Sequence, residues 1–163
     1  MISKAMEKAL NEQINAELYS FYLYLAMSTH FQHSNFAGMA RWMRTQGQEE
    51  MGHAMKFIDH LHERGGAVTL AAIEQPKGEW PSVLAAFEAA FGHEKSITKR
   101  INTLVDEAVA AKDHATANFL QWFVKEQVEE EASLDPIVTR LKAIGDSQGA
   151  LYYLDHELGK RGA

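Results

Sequence analysis

The chain has 163 residues, 46% of them hydrophobic and 23% charged, and this composition suits a single domain over 1–163 with a sizeable core. Its formal net charge of −6 argues against nucleic-acid binding through a basic surface, and the absence of cysteine excludes disulfides, iron–sulfur clusters and a thiol nucleophile. No apolar run is long enough to span a membrane, and the N-terminal residues carry charges where a signal peptide is apolar, so we expect a cytoplasmic protein.

Apolar residues spaced by three and four predict a series of helices, and capping residues mark their ends. The expected helices are A over about 4–33, B over about 36–64, C over about 82–111, D over about 114–144 and a short E over about 148–159. Ser3, Asn35 and Asp113 can cap A, B and D. The stretch 65–81 contains glycine and proline and is long enough to run the length of a bundle. The sequence therefore predicts an all-α four-helix bundle with a long B–C crossover and a short, docked fifth helix.

Polar residues interrupt the apolar stripe of each long helix. On helix B, the stripe that includes Met43 and Phe57 has Glu50 at its centre, and His53 follows one turn later. The corresponding interruptions on helices A, C and D are Glu17, Glu94, Gln127 and Glu130. A buried carboxylate without a partner costs several kcal/mol. Several of them in one core, with one histidine and no lysine or arginine in the stripes, indicate bound cations. For any single helix, a surface glutamate is the alternative.

Oxygen ligands with one imidazole favour a divalent first-row metal such as iron or manganese over calcium. The number of carboxylates fits two ions rather than one. Glu17 and His53 can hold one ion, Glu94 and Glu130 can hold the second, and Glu50 can bridge the two. Gln127 can orient a ligand or bind weakly itself, although it carries no charge.

One ligand set on each long helix, in this chain order, resembles the ferritins, and most closely the non-haem ferritins of bacteria. The sets are Glu17, Glu50-x-x-His53, Glu94 and Gln127-x-x-Glu130, and the segments 118–123 (NFLQWF) and 126–131 (EQVEEE) strengthen the likeness. The resemblance implies a ferritin-type bundle, a homo-oligomeric shell of twenty-four subunits and iron storage. It also implies a di-iron ferroxidase centre inside each subunit that oxidises Fe(II) to Fe(III) with dioxygen or peroxide. Its ligands would be Glu17, Glu50, His53, Glu94 and Glu130.

The resemblance extends to residues beside these ligands. Tyr24 matches a tyrosine next to the centre and could donate an electron or a hydrogen bond, the alternative being a core tyrosine with a satisfied hydroxyl. Glu49, Glu126 and Glu129 match positions that form a third iron site together with Glu130. The alternative for these three glutamates is a solvated acidic patch.

Other functions within the same broad family are the alternatives. A haem-binding bacterioferritin would use Met51 as haem ligand, but that methionine is expected to fill an interface or the core, and haem is not the expected cofactor. A DNA-protecting mini-ferritin would bind metal between subunits and lack the fifth helix. A di-iron oxygenase or peroxidase, such as a rubrerythrin, is a further alternative, but the absence of cysteine excludes the usual rubredoxin module of a rubrerythrin. A shell subunit with a degenerate site would lack these ligands. His30, His60, His93 and His114 are expected to be exposed, and Trp122 and Phe123 to be packing residues.

Overall fold

The computed structural model describes residues 1–162 and consists of four long helices and one short one. They are α1 (Lys4–His33), α2 (Ala37–Glu63), α3 (Val83–Ala110), α4 (His114–Ile144) and α5 (Gln148–Leu158). Within residues 1–162 there is no β-strand, so the predicted all-α bundle with a fifth helix is confirmed. No helix in this range is both long enough and apolar enough to cross a membrane.

Side-chain caps begin three of the long helices. Ser3 Oγ accepts from the Met6 amide at 3.1 Å, which confirms the predicted cap of α1. Asp113 Oδ1 accepts from the Thr116 amide at 3.1 Å and confirms the cap of α4. Ser82 Oγ caps α3 by accepting from the Ala85 amide. Each bond satisfies a backbone N–H that has no partner inside the helix.

The predicted cap of α2 is wrong. Asn35 takes a left-handed conformation, with φ of 62°, which asparagine tolerates better than most residues, and it forms the turn that follows α1. Phe36 is the N-cap residue, and its phenyl ring cannot accept a hydrogen bond. Asp155 of α5 supplies the acceptor instead, because its Oδ1 lies 2.7 Å from the Met39 amide. The start of α2 is therefore satisfied by a residue more than a hundred positions away in the sequence.

The connection between α2 and α3 lies along the outside of α1. Asn11 fixes it twice, donating to the Ala67 carbonyl at 2.9 Å and accepting from the Thr69 amide at 2.6 Å. Asn15 donates to the Ala72 carbonyl at 3.1 Å. These side chains satisfy backbone groups of a segment that has no regular secondary structure.

The interior of the bundle is divided into two hydrophobic clusters. One contains Phe31, Met43 and Phe87, together with residues of α5, and the other contains Leu10, Phe57 and Phe123. All four long helices also contribute buried polar residues. We call eight of them the carboxylate belt, and they form the candidate functional site: Gln13, Glu17, Gln46, Glu50, His53, Glu94, Gln127 and Glu130.

Candidate metal centre

The belt contains all six residues that the sequence singled out as interruptions of apolar stripes. Their side chains are 0–4% exposed; they are Glu17, Glu50, His53, Glu94, Gln127 and Glu130. The alternative of a surface glutamate is therefore excluded for each of the four helices. Since the stripes face the core, their polar members meet at the same level of the bundle.

The carboxylates and the imidazole form two overlapping groups. Ligand atoms of Glu17, Glu50 and His53 all lie within 4.8 Å of one another, and so do those of Glu50, Glu94 and Glu130. Glu50 belongs to both groups, and its Oε2 is 3.2 Å from His53 Nδ1. A carboxylate shared by two adjacent ligand sets is in the position that a bridge between two ions requires.

Three buried glutamine amides hold the carboxylate oxygens. Gln13 Nε2 donates to Glu17 Oε1 at 2.7 Å, and Gln127 Nε2 donates to Glu94 Oε2 at 3.1 Å. Gln46 Nε2 donates to Glu50 Oε1 at 2.9 Å and to Glu130 Oε2 at 2.7 Å. Sequence reasoning missed two of these amides. The available signal was spacing, because each of the two stands four residues before a buried glutamate and so shares its helix face.

Burial of several acids in one place raises their pKa values. Removal from water raises the pKa of Glu17 to about 8, and the nearby Glu50 carboxylate raises it as well. Removal from water and the nearby Glu94 carboxylate raise the pKa of Glu130 to about 7. For the same reason the pKa of Glu50 lies well above its usual range, and that of Glu94 is raised. Without cations the belt therefore holds protons that an entering ion can displace.

One oxygen in the belt lacks an N–H or hydroxyl donor. Glu17 Oε2 is buried, and no amide, ring N–H, guanidinium or hydroxyl group of the described residues donates to it. It lies 3.9 Å from His53 Nδ1, too far for a hydrogen bond. An orphaned carboxylate oxygen beside an imidazole nitrogen fits a divalent cation, since the ion would satisfy both atoms.

Sequence comparison shows the family to which the chain belongs. The family model for the ferritin-like domain matches residues 7–144, most of the chain. The chain belongs to the ferritin family. A relative named bacterial non-heme ferritin, from Bacteroides fragilis, is 45% identical over 161 residues, covering 99% of this chain and 100% of the relative. A protein of the same name from Campylobacter jejuni is 43% identical over 155 residues, covering 95% and 93%. The predicted resemblance is confirmed.

Solved ferritin structures share the whole fold. The open-pore ferritin of the archaeon Archaeoglobus fulgidus superposes with a TM-score of 0.98 at 55% identity and covers 99% of both chains. A closed form of the same ferritin, made by site-directed mutagenesis, gives a TM-score of 0.97 at 55% identity, with 99% of this chain and 98% of that chain covered. The ferritin-type bundle predicted from the sequence is thereby confirmed.

Tyr24 lies beside the second group of carboxylates. It is fully buried, and its hydroxyl donates a hydrogen bond to Glu94 Oε1. Burial and the neighbouring Glu94 carboxylate raise the pKa of Tyr24 well above its usual range, so the hydroxyl keeps its proton. The hydroxyl is satisfied, as expected for a core tyrosine, and its partner Glu94 belongs to the belt; donation of an electron stays a prediction.

Only one of the three additional glutamates approaches the belt closely. Glu126 Oε1 is 3.8 Å from His53 Nε2, and the pair forms a further group with Glu130 whose ligand atoms lie within 4.8 Å of one another. Glu49 is instead paired with Arg161 at 2.6 Å. Glu129 is exposed and lies 3.8 Å from the Lys125 ammonium.

Several expectations for individual aromatic residues are wrong. His60 is buried, stacked on Phe119 with ring centroids 4.0 Å apart, and it shares a hydrogen bond with Thr116. His93 is partly buried and lies 2.7 Å from Ser20 Oγ, and burial lowers its pKa to about 4. Trp122, by contrast, packs as expected, with its ring edge-on to His53 and to Phe123, although 41% of the residue is exposed.

The remaining expectations concern four other residues. His30 is partly buried and packs edge-on against Trp80, so its expected exposure is also wrong. His114 is exposed and Phe123 is a buried core residue, as expected. Met51, the possible haem ligand, is partly exposed on α2.

Proposed function

We propose that this chain is the subunit of an iron-storage ferritin and that the buried belt is a di-iron ferroxidase centre. The observation that carries the proposal is the pair of overlapping ligand groups that share Glu50. Glu17 and His53 would hold one Fe(II), Glu94 and Glu130 the other, and Glu50 would bridge them. Gln127 acts through its hydrogen bond to Glu94 rather than as an iron ligand.

The protein residues prepare the site for two ferrous ions as substrates. Because the pKa values of the buried glutamates are raised, iron binding displaces protons from them and converts them to charged ligands. Each bound Fe(II) then gives one electron to dioxygen or peroxide, and the ferric product moves on to be stored as mineral. The Tyr24 hydroxyl holds one oxygen of Glu94 and the Gln127 amide holds the other, so this carboxylate is already oriented when an ion binds.

A third iron position next to the centre is part of the proposal. His53, Glu126 and Glu130 can hold an ion in transit, and Glu129 lies on the same helix one turn from Glu126. Glu49 can join this site only after it releases Arg161, with which it is paired. The third position would therefore bind more weakly than the two buried ones.

Assembly into a shell of twenty-four identical subunits is the state we propose for this function. The monomer exposes large apolar side chains on several elements, including Leu70, Val109, Val128 and Tyr153. Apolar surface of this kind is stabilised when another subunit covers it. The relatives and solved structures named as ferritins support an oligomeric assembly, and the number of twenty-four comes from the family resemblance.

Iron-soaked crystals, with an anomalous-scattering map, provide the direct test. We expect two strong peaks per subunit on either side of Glu50 and a weaker third peak near Glu126. The same protein should oxidise Fe(II) under air and retain the product inside an assembled shell. Peaks confined to exposed acids, or oxidation no faster than in buffer, would contradict the proposal.

A further inference from the structure

Two arginines outside the belt reach its carboxylates through glutamine amides. Gln46 is fully buried, and while its nitrogen holds Glu50 and Glu130, its Oε1 accepts a hydrogen bond from Arg161 Nη2 at 2.8 Å. Arg161 stands three residues after the end of α5, far from the belt in sequence. The guanidinium therefore donates to the amide oxygen, and the amide nitrogen donates to two carboxylates on different helices.

This arrangement fixes which way the amide points. A guanidinium has only donors, so it can contact the oxygen of Gln46 and not its NH₂ group. In the opposite orientation the amide oxygen would face the oxygens of Glu50 and Glu130, and its nitrogen would face Arg161. Both ends would then be repulsive. Hydrogen bonds arranged in series also polarise one another, which strengthens the contact to the carboxylates.

Packing holds Arg161 in place. Its guanidinium lies over the Trp42 ring, 4.4 Å from the centroid, and Nη2 also donates to Glu49 Oε2 at 2.6 Å. The preceding helix is tightly seated, because a Cβ on Gly38 would lie only 1.8 Å from the Asp155 carbonyl oxygen. The position of α5 against α2 thus determines where the arginine reaches the belt.

The same arrangement of arginine, glutamine and glutamate occurs a second time in the belt, at Glu17. Arg100 Nε donates to Gln13 Oε1 at 3.0 Å, and Gln13 Nε2 donates to Glu17 Oε1 at 2.7 Å. Arg100 also donates to the Glu12 carbonyl, which anchors it on α1. Two independent arginine–glutamine–glutamate relays therefore end on ligands of the proposed centre.

We propose that Arg161 and Arg100 are positioning residues of the carboxylate belt, each acting through the glutamine amide that it orients. This inference rests on the proposed metal-binding function. Gln46 occupies Glu50 Oε1, so the other oxygen, Oε2, is turned toward His53 Nδ1 at 3.2 Å, and an ion would bind between these two atoms. Loss of Arg161 would let the amide rotate, and the two carboxylates would lose their common donor.

Cobalt(II) titration of the assembled, metal-free protein tests the proposal, since the visible spectrum of bound Co(II) reports ligand geometry. We expect Arg161→Gln to weaken Co(II) binding about tenfold, as is typical when the residues that orient ligands are removed, and to change the band shape. Lys160→Gln is the matched control, because the ammonium of this exposed neighbouring lysine is paired with Glu157 rather than with a belt residue, and this variant should titrate like wild type.

A double-mutant cycle separates positioning from a simple effect of charge. Gln46→Met removes the amide, and if Arg161 acts through it, the double variant Arg161→Gln/Gln46→Met binds Co(II) no more weakly than Gln46→Met. Additive losses, or an Arg161→Gln spectrum and affinity equal to wild type, would overturn the proposal. If Gln46→Met does not assemble, the spectra of Arg161→Gln and Arg100→Gln decide. Failure of the wild-type protein to bind Co(II) would instead refute the proposed metal centre itself.

Discussion

The Tyr24 hydroxyl on α1 donates a hydrogen bond to Oε1 of Glu94 on α3, inside the bundle and away from water. The contact joins α1 to α3 at the level of the carboxylate belt. Glu94 receives a second bond from the Gln127 amide on its other oxygen, so both of its oxygens are held before any ion arrives. A carboxylate fixed in this way costs less to orient when an ion binds.

Replacing Tyr24 with phenylalanine removes one of these two bonds and little volume. We expect Fe(II) oxidation to slow about fivefold, which corresponds to about 1 kcal/mol for one hydrogen bond, while the number of ions bound stays the same. Stopped-flow oxidation and binding titration measure the two quantities. Tyr22→Phe on the exposed side of the same helix is the control and should behave like wild type. An unchanged rate in Tyr24→Phe would mean that the bond is only structural.

Glu50→Ala should abolish rapid Fe(II) oxidation and leave the protein folded and assembled. One ligand group contains Glu17 and the other contains Glu94, and Glu50 is the carboxylate that the two groups share. Its removal would leave the two ions without a bridge. The substitution also removes an acid whose burial is unfavourable when charged. Stopped-flow spectroscopy and size-exclusion chromatography provide the measurements. Glu107→Ala, at an exposed position of α3, is the control, and wild-type speed in Glu50→Ala would rule out the assignment.

The metal-free protein should become less stable as pH rises through the neutral range. Glu17 titrates at about 8 and Glu130 at about 7 when folded, against 4.5 as the ordinary value, so the folded state binds these protons more tightly than the unfolded state. Their contribution to stability is complete below pH 4.5 and is lost as pH rises through about 7 to 8. Guanidinium unfolding between about pH 5 and pH 8 measures this trend. In Glu17→Gln the decline should be shallower, and a parallel profile would contradict the shift.

Divalent metal should raise the melting temperature of the wild-type protein. An ion that binds only the folded state stabilises it by about 2.7 kcal/mol when its free concentration is one hundred times the dissociation constant. Zinc is a suitable probe because it has no redox chemistry. Calorimetry of the wild type and of Glu50→Ala, with and without zinc, measures the effect, and the variant should keep only a small part of it. Equal melting temperatures for wild type in both conditions would argue against a buried binding site.

The sequence predicted the features that depend on the spacing of residues within a single helix. Apolar stripes at helical spacing predicted the four long helices, and the polar interruptions within them predicted which acids are buried, because burial of a stripe is a property of its own helix. Ser3 and Asp113 were likewise predictable, since a cap accepts from an amide three residues away. Glu50 and His53 share one helix face, so their proximity follows from spacing alone.

The tertiary structure alone decided contacts made between distant segments. The sequence placed the cap of α2 at Asn35, whereas the acceptor is Asp155, brought there by the docking of α5. Spacing places Gln46 on the helix face of Glu50, but only the packing of α4 shows that its amide bridges Glu50 and Glu130.

The sequence by itself therefore determined the helices, the family resemblance and the set of buried acids, because each depends on spacing within one helix or on chain order. The fold decided which oxygens are held, which of them is left without a partner, and which arginines reach the belt. Those properties depend on distances between helices, which side-chain packing sets and which no spacing within a helix encodes.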